Sequence, residues 1–381
     1  MMGRVDQAGA AGHAGPLAGR PPAAPEAAGA ARLEGGLRLS APGRCKRGSA
    51  TRPLVSYVTV VRNARATIGR TLASVRNQQW DAVEHVVVDG LSDDGTREII
   101  EAHAGQIDVY VSEPDAGLYD ALNKALALVR GDLVCVLNAD DWLTPDAAAV
   151  AARALLRRSA TAGTPLLILS SAWLHVGARR KLWLPAPLDA GSWLRCPKIC
   201  HNGVYATRSA LERTGPYDTR WRIVGDTHWL CRAFDAGVDV VHCPAPTVHY
   251  MPGGLSADTR RHVEECAQLM AQRFTGLDEA GVWTLIHAFY PWPDNLAPFA
   301  ASRPRDLGRA LDALLARHAG DAALDAAAAA AGLAAQRGHA ARVRTRRGLA
   351  AQVHRGLLRA WYGVREAVAP PRPGSPPPTP K

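Results

Sequence analysis

Four short runs of β-branched and other apolar residues stand out in the first third of the chain, and each runs into polar residues. Val55-Ser56-Tyr57-Val58-Thr59-Val60-Val61, Glu84–Asp89, Ile107–Val111 and Leu133–Leu137 have the length and composition of buried strands. Residues 66–77, a stretch from about Arg97, and Leu118–Val129 carry helical spacing between them. This alternation predicts an α/β chain built on a mostly parallel sheet with helices on both faces. Ligands of such sheets sit beyond the carboxyl ends of the strands. The polar groups at those ends are Arg62-Asn63, Asp89, Ser112 to Asp115, and Asn138 to Asp141. They are expected to converge on one rim.

The flanks break the pattern. Residues 1–52 are rich in Ala, Gly, Pro and Arg without a sustained period, which predicts a disordered leader, and residues 369–381 predict a disordered proline-rich tail. The main domain is expected over 53–302, with a first half at 53–145 and a second at 146–260, followed by an Ala/Arg-rich helical extension over 303–368. The formal charge of +10 divides along the same lines. Residues 1–52 hold 8 basic and 3 acidic side chains and residues 303–381 hold 14 and 5, which leaves the main domain at −4. A nucleic-acid partner is therefore not expected of the domain. From Leu349, apolar residues recur with helical spacing among arginines, so the 339–368 segment reads either as a helix for an anionic membrane surface or as one docked on the domain. Seven cysteines, several inside apolar runs, suit reduced thiols. With no signal-peptide pattern at the start, the expected location is cytoplasmic, peripheral at the inner face of the membrane.

Asp140-Asp141, after a buried strand, supplies hard oxygen ligands suited to Mg²⁺ or Mn²⁺. The alternative is a cap on the helix near Pro145. Neither a Walker motif nor a GxGxxG follows a strand, so the glycine-loop phosphate signatures are missing. Cys196, Cys200 and His201 invite a zinc reading, but no paired CxxC spacing accompanies them and no zinc is expected. Trp173, Trp183, Trp193, Trp221 and Trp229 suit either sugar stacking or core packing.

At this point the motifs form a set. VSYVTVVRNA (55–64), TLASVRNQ (71–78), HVVVDGLSDDGT (85–96), SEPDAGLYDALNKAL (112–126) and GDLVCVLNADDWL (131–143) are followed by HNGVYATRSALERTGPYD (201–218), RIVGDTHWLCRAFDAG (222–237) and HYMPGGLS (249–256). In this order and spacing the stretch from Leu54 to Ser256 resembles the family 2 glycosyltransferases, enzymes of the GT-A fold that use nucleotide-activated sugars. The resemblance implies that Thr59, Asn63, Asp89, Asp115, Lys124, Asn138 and Asp141 bind the nucleotide-sugar, a UDP- or GDP-sugar. It implies that Asp140 holds the divalent metal, with Asn138 in place of the usual first Asp of the DxD motif. Asp226 aligns with the catalytic base, its alternative being the cap of the helix that follows. His201, Asn202, Trp229 and His249 fall on the acceptor side, where the acceptor is a saccharide or a lipid-linked sugar. The implied activity is metal-dependent, inverting transfer in surface polysaccharide or glycolipid assembly. Its rivals are an inactive module of the same fold or a basic adaptor, and a sugar-nucleotide pyrophosphorylase, whose glycine-rich loop is absent after Val61.

Overall fold

The computed structural model describes residues 32–158, 161–290 and 299–332. It opens with a short strand β1 (Leu33–Gly35) and a one-turn helix α1 (Leu37–Ser40). The four expected strands follow as β2 (Val55–Val61), β3 (Val83–Asp89), β4 (Val109–Ser112) and β5 (Leu133–Val136). The helices between them are α2 (Ile68–Arg76), α3 (Thr96–Ala102) and α4 (Leu118–Leu126). The second half adds β6 (Trp142–Leu143), α5 (Ala147–Arg157), β7 (Leu166–Val176), β8 (Arg179–Trp183) and α6 (Ser192–Arg195). Then come β9 (Val204–Thr207), α7 (Arg208–Thr214), α8 (Gly225–Asp235) and β10 (Asp239–Tyr250). Four helices close the described chain: α9 (Thr259–Arg273), α10 (Glu279–Phe289), α11 (Leu307–Arg317) and α12 (Ala322–Ala330).

The strands join one ten-stranded sheet in the order β1-β4-β3-β2-β5-β9-β7-β10-β6, with β8 added beside β7. Strands β4, β3, β2 and β5 run parallel, as the alternation with helices requires. Strand β9 is antiparallel to both β5 and β7 and so joins this block to the parallel pair β7 and β10. The α/β class expected from the sequence, a mostly parallel sheet flanked by helices, is therefore the one observed. Every residue of β2 is buried because both faces of the sheet are covered. Val58 and Val60 enter a core with α4, α8 and α9, whereas Val55 and Tyr57 enter the opposite core with α5.

Two domain boundaries differ from expectation. The leader predicted over 1–52 contains an edge strand: β1 pairs antiparallel with β4, and Arg38 of α1 forms a buried ion pair with Glu84 of β3. Glu84 sits in the sheet interior, accepting from Ser56 Oγ and the Arg130 amide, so an arriving guanidinium satisfies a carboxylate that would otherwise be buried without a counter-charge. At the other end, Leu314, Leu324 and Ala327 pack into the same core as α9 and α10, so residues 307–330 continue the domain.

Candidate active site

Where the parallel strands end, a cleft of about 1200 Å³ opens between the two halves of the sheet. Its floor begins with two interlocked loops. Asn63 takes the left-handed region (φ 54°) just after β2, and its Oδ1 accepts the Asp93 amide at 3.0 Å while its own amide donates to Ser92 Oγ at 2.8 Å. The next two amides, of Ala64 and Arg65, donate to Thr96 Oγ1 and Asp94 Oδ2. Asn tolerates this backbone better than most residues and its amide closes the lock. Arg62, Asn63, Arg65 and Asp94 thereby face the cleft.

The end of β5 supplies the next wall. Asp140 lines the cleft half-buried, and burial raises its pKa, with Arg70 nearby opposing the shift. Arg70 also donates to the Asp140 carbonyl at 2.7 Å and stacks on Trp142. Asp141 points the other way, fully buried. Its Oδ1 accepts the Met251 amide at 2.7 Å and its Oδ2 accepts from Asn202 Nδ2. Burial pushes its pKa up to about 8. Asn202 Oδ1 in turn accepts the Asn138 amide at 3.2 Å, so the Asn202 side chain bridges Asn138 and Asp141, and Asp141 carries the link on to Met251. The two adjacent carboxylates have different jobs: Asp140 faces the cleft, and Asp141 fixes Met251 just after the end of β10.

Asp226, on the first turn of α8, lines the same cleft. Its position is built from three sides. Gly225 leaves room for the Tyr119 ring, which a Cβ there would meet at 2.5 Å. The Tyr119 hydroxyl donates to the Ile223 carbonyl at 2.6 Å and accepts the Asp226 amide at 3.2 Å. Glu265 of α9 accepts the amides of Arg222, Ile223 and Val224 at 2.8 to 3.1 Å, so a carboxylate from another helix fixes the segment that leads into α8. Asp226 Oδ1 accepts its neighbour's amide, from Thr227, at 2.6 Å. Burial raises the pKa of Asp226, opposed by His201. His201 itself lines the cleft, held by Tyr217 Oη at 2.8 Å, with burial lowering its pKa.

Of the residues expected at the site, Asn63, Asn138, Asp140, His201, Asn202 and Asp226 line one cleft. The others do not. Thr59 is fully buried in the sheet, with Oγ1 3.0 Å from His85 Nε2. Asp89 is buried, its carboxylate occupied by Ser92 and by Ser112 Oγ at 2.7 Å, and it braces the loop that faces the cleft. Asp115 stands behind the rim, its Oδ1 accepting the Gly117 amide and its Oδ2 against Gly90. Lys124 is turned onto the Pro114 carbonyl at 2.7 Å and pairs with Asp120 and Glu113, so it is not a cleft cation. Trp229 is core, stacked on Tyr217 and donating to the Gly215 carbonyl. His249 stacks on Trp142 and pairs with His175 at 3.0 Å, and burial lowers its pKa to about 4.

The cleft also contains an arginine not singled out from the sequence. Arg222 lines it and donates to the Ala116 carbonyl across the Gly117 turn, where a Cβ would lie 2.5 Å from the guanidinium. Of the five tryptophans named from the sequence, Trp183, set at a right angle to Tyr250, is the one that lines the cleft. For Arg222, its place just before the Gly225-Asp226 pair was the available signal. The arginine-rich composition of the whole chain hid it.

Residues 56–175 match the family model of glycosyl transferase family 2. That span holds the parallel block and Asp140, while Asp226 lies beyond it. An uncharacterized glycosyltransferase of Mycobacterium tuberculosis is 29% identical over 225 residues, covering 55% of this chain and 82% of its own. A PGL/p-HBAD biosynthesis glycosyltransferase of Mycobacterium bovis is 28% identical over 194 residues, covering 48% and 70%. These matches support a glycosyltransferase. Among solved structures, Staphylococcus aureus TarS in complex with UDP-GlcNAc overlaps at a TM-score of 0.49 with 15% identity, covering 74% of this chain and 92% of that one. The mannosyltransferase PcManGT from Pyrobaculum calidifontis, in complex with GDP-Man and Mn²⁺, overlaps at 0.45 with 23% identity, covering 76% and 82%. No helix among the described residues is long and apolar enough to cross a membrane. The basic helix expected over 339–368 lies outside the described residues, as do the tail at 369–381 and most of the leader.

Proposed function

We propose that the chain is an inverting glycosyltransferase that moves a sugar from a nucleoside diphosphate donor to a hydroxyl of a saccharide or lipid-linked acceptor. The observation that carries this reading is that two carboxylates, Asp140 and Asp226, line one cleft together with Arg62, Arg65 and Arg222. Asp226 takes the proton of the acceptor hydroxyl as that oxygen attacks the anomeric carbon. The bond to the diphosphate oxygen breaks on the far side, so a single displacement inverts the centre. Burial makes Asp226 a stronger base than an ordinary carboxylate.

The donor set at the β5 end fits a hard divalent cation. Asp140 offers a cleft-facing carboxylate that no other side chain engages among the described hydrogen bonds, and burial disfavours its charge unless a cation is close. Asp140, with Asn138 beside it, would hold Mg²⁺ or Mn²⁺. Such an ion supplies charge neutralisation for the departing diphosphate. Arg222 and Arg62 complement the same charge from the protein side. The relative named for PGL/p-HBAD biosynthesis favours a lipid-linked acceptor, in keeping with glycolipid or surface polysaccharide assembly and with a peripheral place at the inner membrane face. The test is a donor-hydrolysis and transfer screen over UDP- and GDP-sugars, with Mn²⁺ present or withheld. Asp226→Asn should bind donor and lose transfer, and Asp140→Ala should lose the metal-dependent part of donor binding. Wild-type turnover in Asp226→Asn overturns the assignment.

A further inference from the structure

One corner of the cleft holds a donor set that glycosyl transfer does not use. Cys196 Sγ, His262 Nε2 and Cys266 Sγ all lie within 4.8 Å of one another, with Cys196 Sγ 3.9 Å from His262 Nε2. A tetrahedral zinc ion with Zn–S of about 2.3 Å and Zn–N of about 2.0 Å needs its donors roughly 3.5 to 3.8 Å apart. The three atoms are thus already gathered, and side-chain rotation closes the remainder. His262 and Cys266 are four residues apart on α9 and share a face. Cys196 comes from the end of α6 and takes the left-handed region at φ 43° and ψ 85°. A residue with a Cβ is strained there and a glycine would not be. The strain places a thiol opposite α9.

We propose that Cys196, His262 and Cys266 bind a zinc ion, with a fourth coordination position open to the cleft beside Thr227. Two thiols and an imidazole are soft donors that select Zn²⁺ over Mg²⁺ or Mn²⁺, so this centre is chemically distinct from the oxygen site at Asp140. Binding releases both thiol protons, and two thiolates neutralise the ion, so a buried centre forms without net charge. The surroundings are consistent with this. The Tyr290 hydroxyl interacts with both sulfurs, and Thr227 Oγ1 lies 3.4 Å from Cys196 Sγ. Cys196, Thr227 and His262 line the cleft and Cys266 is buried behind them, which leaves a path for a water or a substrate oxygen to the fourth position. The ion ties the loop after α6 to α9, the helix whose Glu265 fixes the approach to Asp226. Cys200 and His201, the neighbours that the sequence suggests, take no part: Cys200 is buried on the side of Asp141, and His201 is held by Tyr217.

The test uses the full chain, fully reduced and stripped of metal, titrated with Co²⁺ and then Zn²⁺. The expected result is one equivalent of Co²⁺ with a thiolate-to-cobalt charge-transfer band, displaced by one equivalent of Zn²⁺. Cys266→Ser and His262→Asn should lose the band, whereas Asp140→Asn should keep it. Alkylation mapped by mass spectrometry reads the same site without a variant: Zn²⁺ should protect Cys196 and Cys266 and leave Cys45 reactive. No charge-transfer band in the reduced wild-type chain, or equal alkylation of Cys196 with and without Zn²⁺, overturns the proposal. Neither readout depends on sugar transfer.

Discussion

The buried pair beneath the cleft floor gives a sharp test through pH. His85 on β3 is buried beside Thr59, and burial lowers its pKa to about 3. In the unfolded chain the imidazole returns to about 6.5. The folded state therefore holds His85 neutral while the unfolded chain binds a proton below that value. This contribution is fully present above pH about 6.5 and is lost as pH falls towards about 3, at about 1.4 kcal/mol per pH unit. Between about pH 7.5 and about pH 5 the loss from this one group is about 2 kcal/mol. His85→Gln keeps a polar group of similar reach towards Thr59 and removes the titration. Urea unfolding of both proteins at both pH values isolates the histidine, because His228, His249 and the raised carboxylates of Asp141 and Asp226 are common to the two. The wild type should lose about 2 kcal/mol more than the variant across the interval. Equal losses would refute the claim that His85 stays neutral in the fold.

Three further outcomes are expected. Asp226→Asn should unfold at the wild-type denaturant midpoint and lose transfer by about 100-fold or more, and the acid limb of wild-type activity should lie above the ordinary carboxylate range because burial raises this group. Asn202→Leu removes a donor from the buried Asp141 and should cost about 1–3 kcal/mol by urea unfolding, with Asp141→Asn in the same background recovering part of the loss. Arg38→Met leaves Glu84 buried without its counter-charge, so it should cost about 3–5 kcal/mol. A leader that did not pack on the sheet would give no change in that midpoint.

The parallel block was legible because a strand covered on both faces needs no alternation, only a short run rich in valine and other apolar residues, and β2, β3, β4 and β5 each have one. What resisted reading was direction and distance. Thr59 lies inside the run Val55–Val61, where both faces of the sheet are covered and its hydroxyl meets His85, while Asn63, two residues past the run's end, takes left-handed backbone and reaches the rim. Lys124 and Trp229 lie on helices, where the face presented depends on how the helix docks. Arg38 was hidden by the Ala/Gly/Pro composition around it. The thiols of Cys196 and Cys266 meet only because α9 returns to the cleft after the sheet is complete, and no local spacing announces that return.

Glu265 sets a limit on recombining this protein. The acceptor half marked out by motifs closes at residue 260, but the three amides leading into Asp226 are gathered by a carboxylate beyond that boundary. A chimaera that exchanged residues 146–260 with a relative to change acceptor choice would bring in the base and leave its anchor behind. The exchangeable unit runs through α9, and a junction placed after Arg273 keeps base and anchor on the same donor parent.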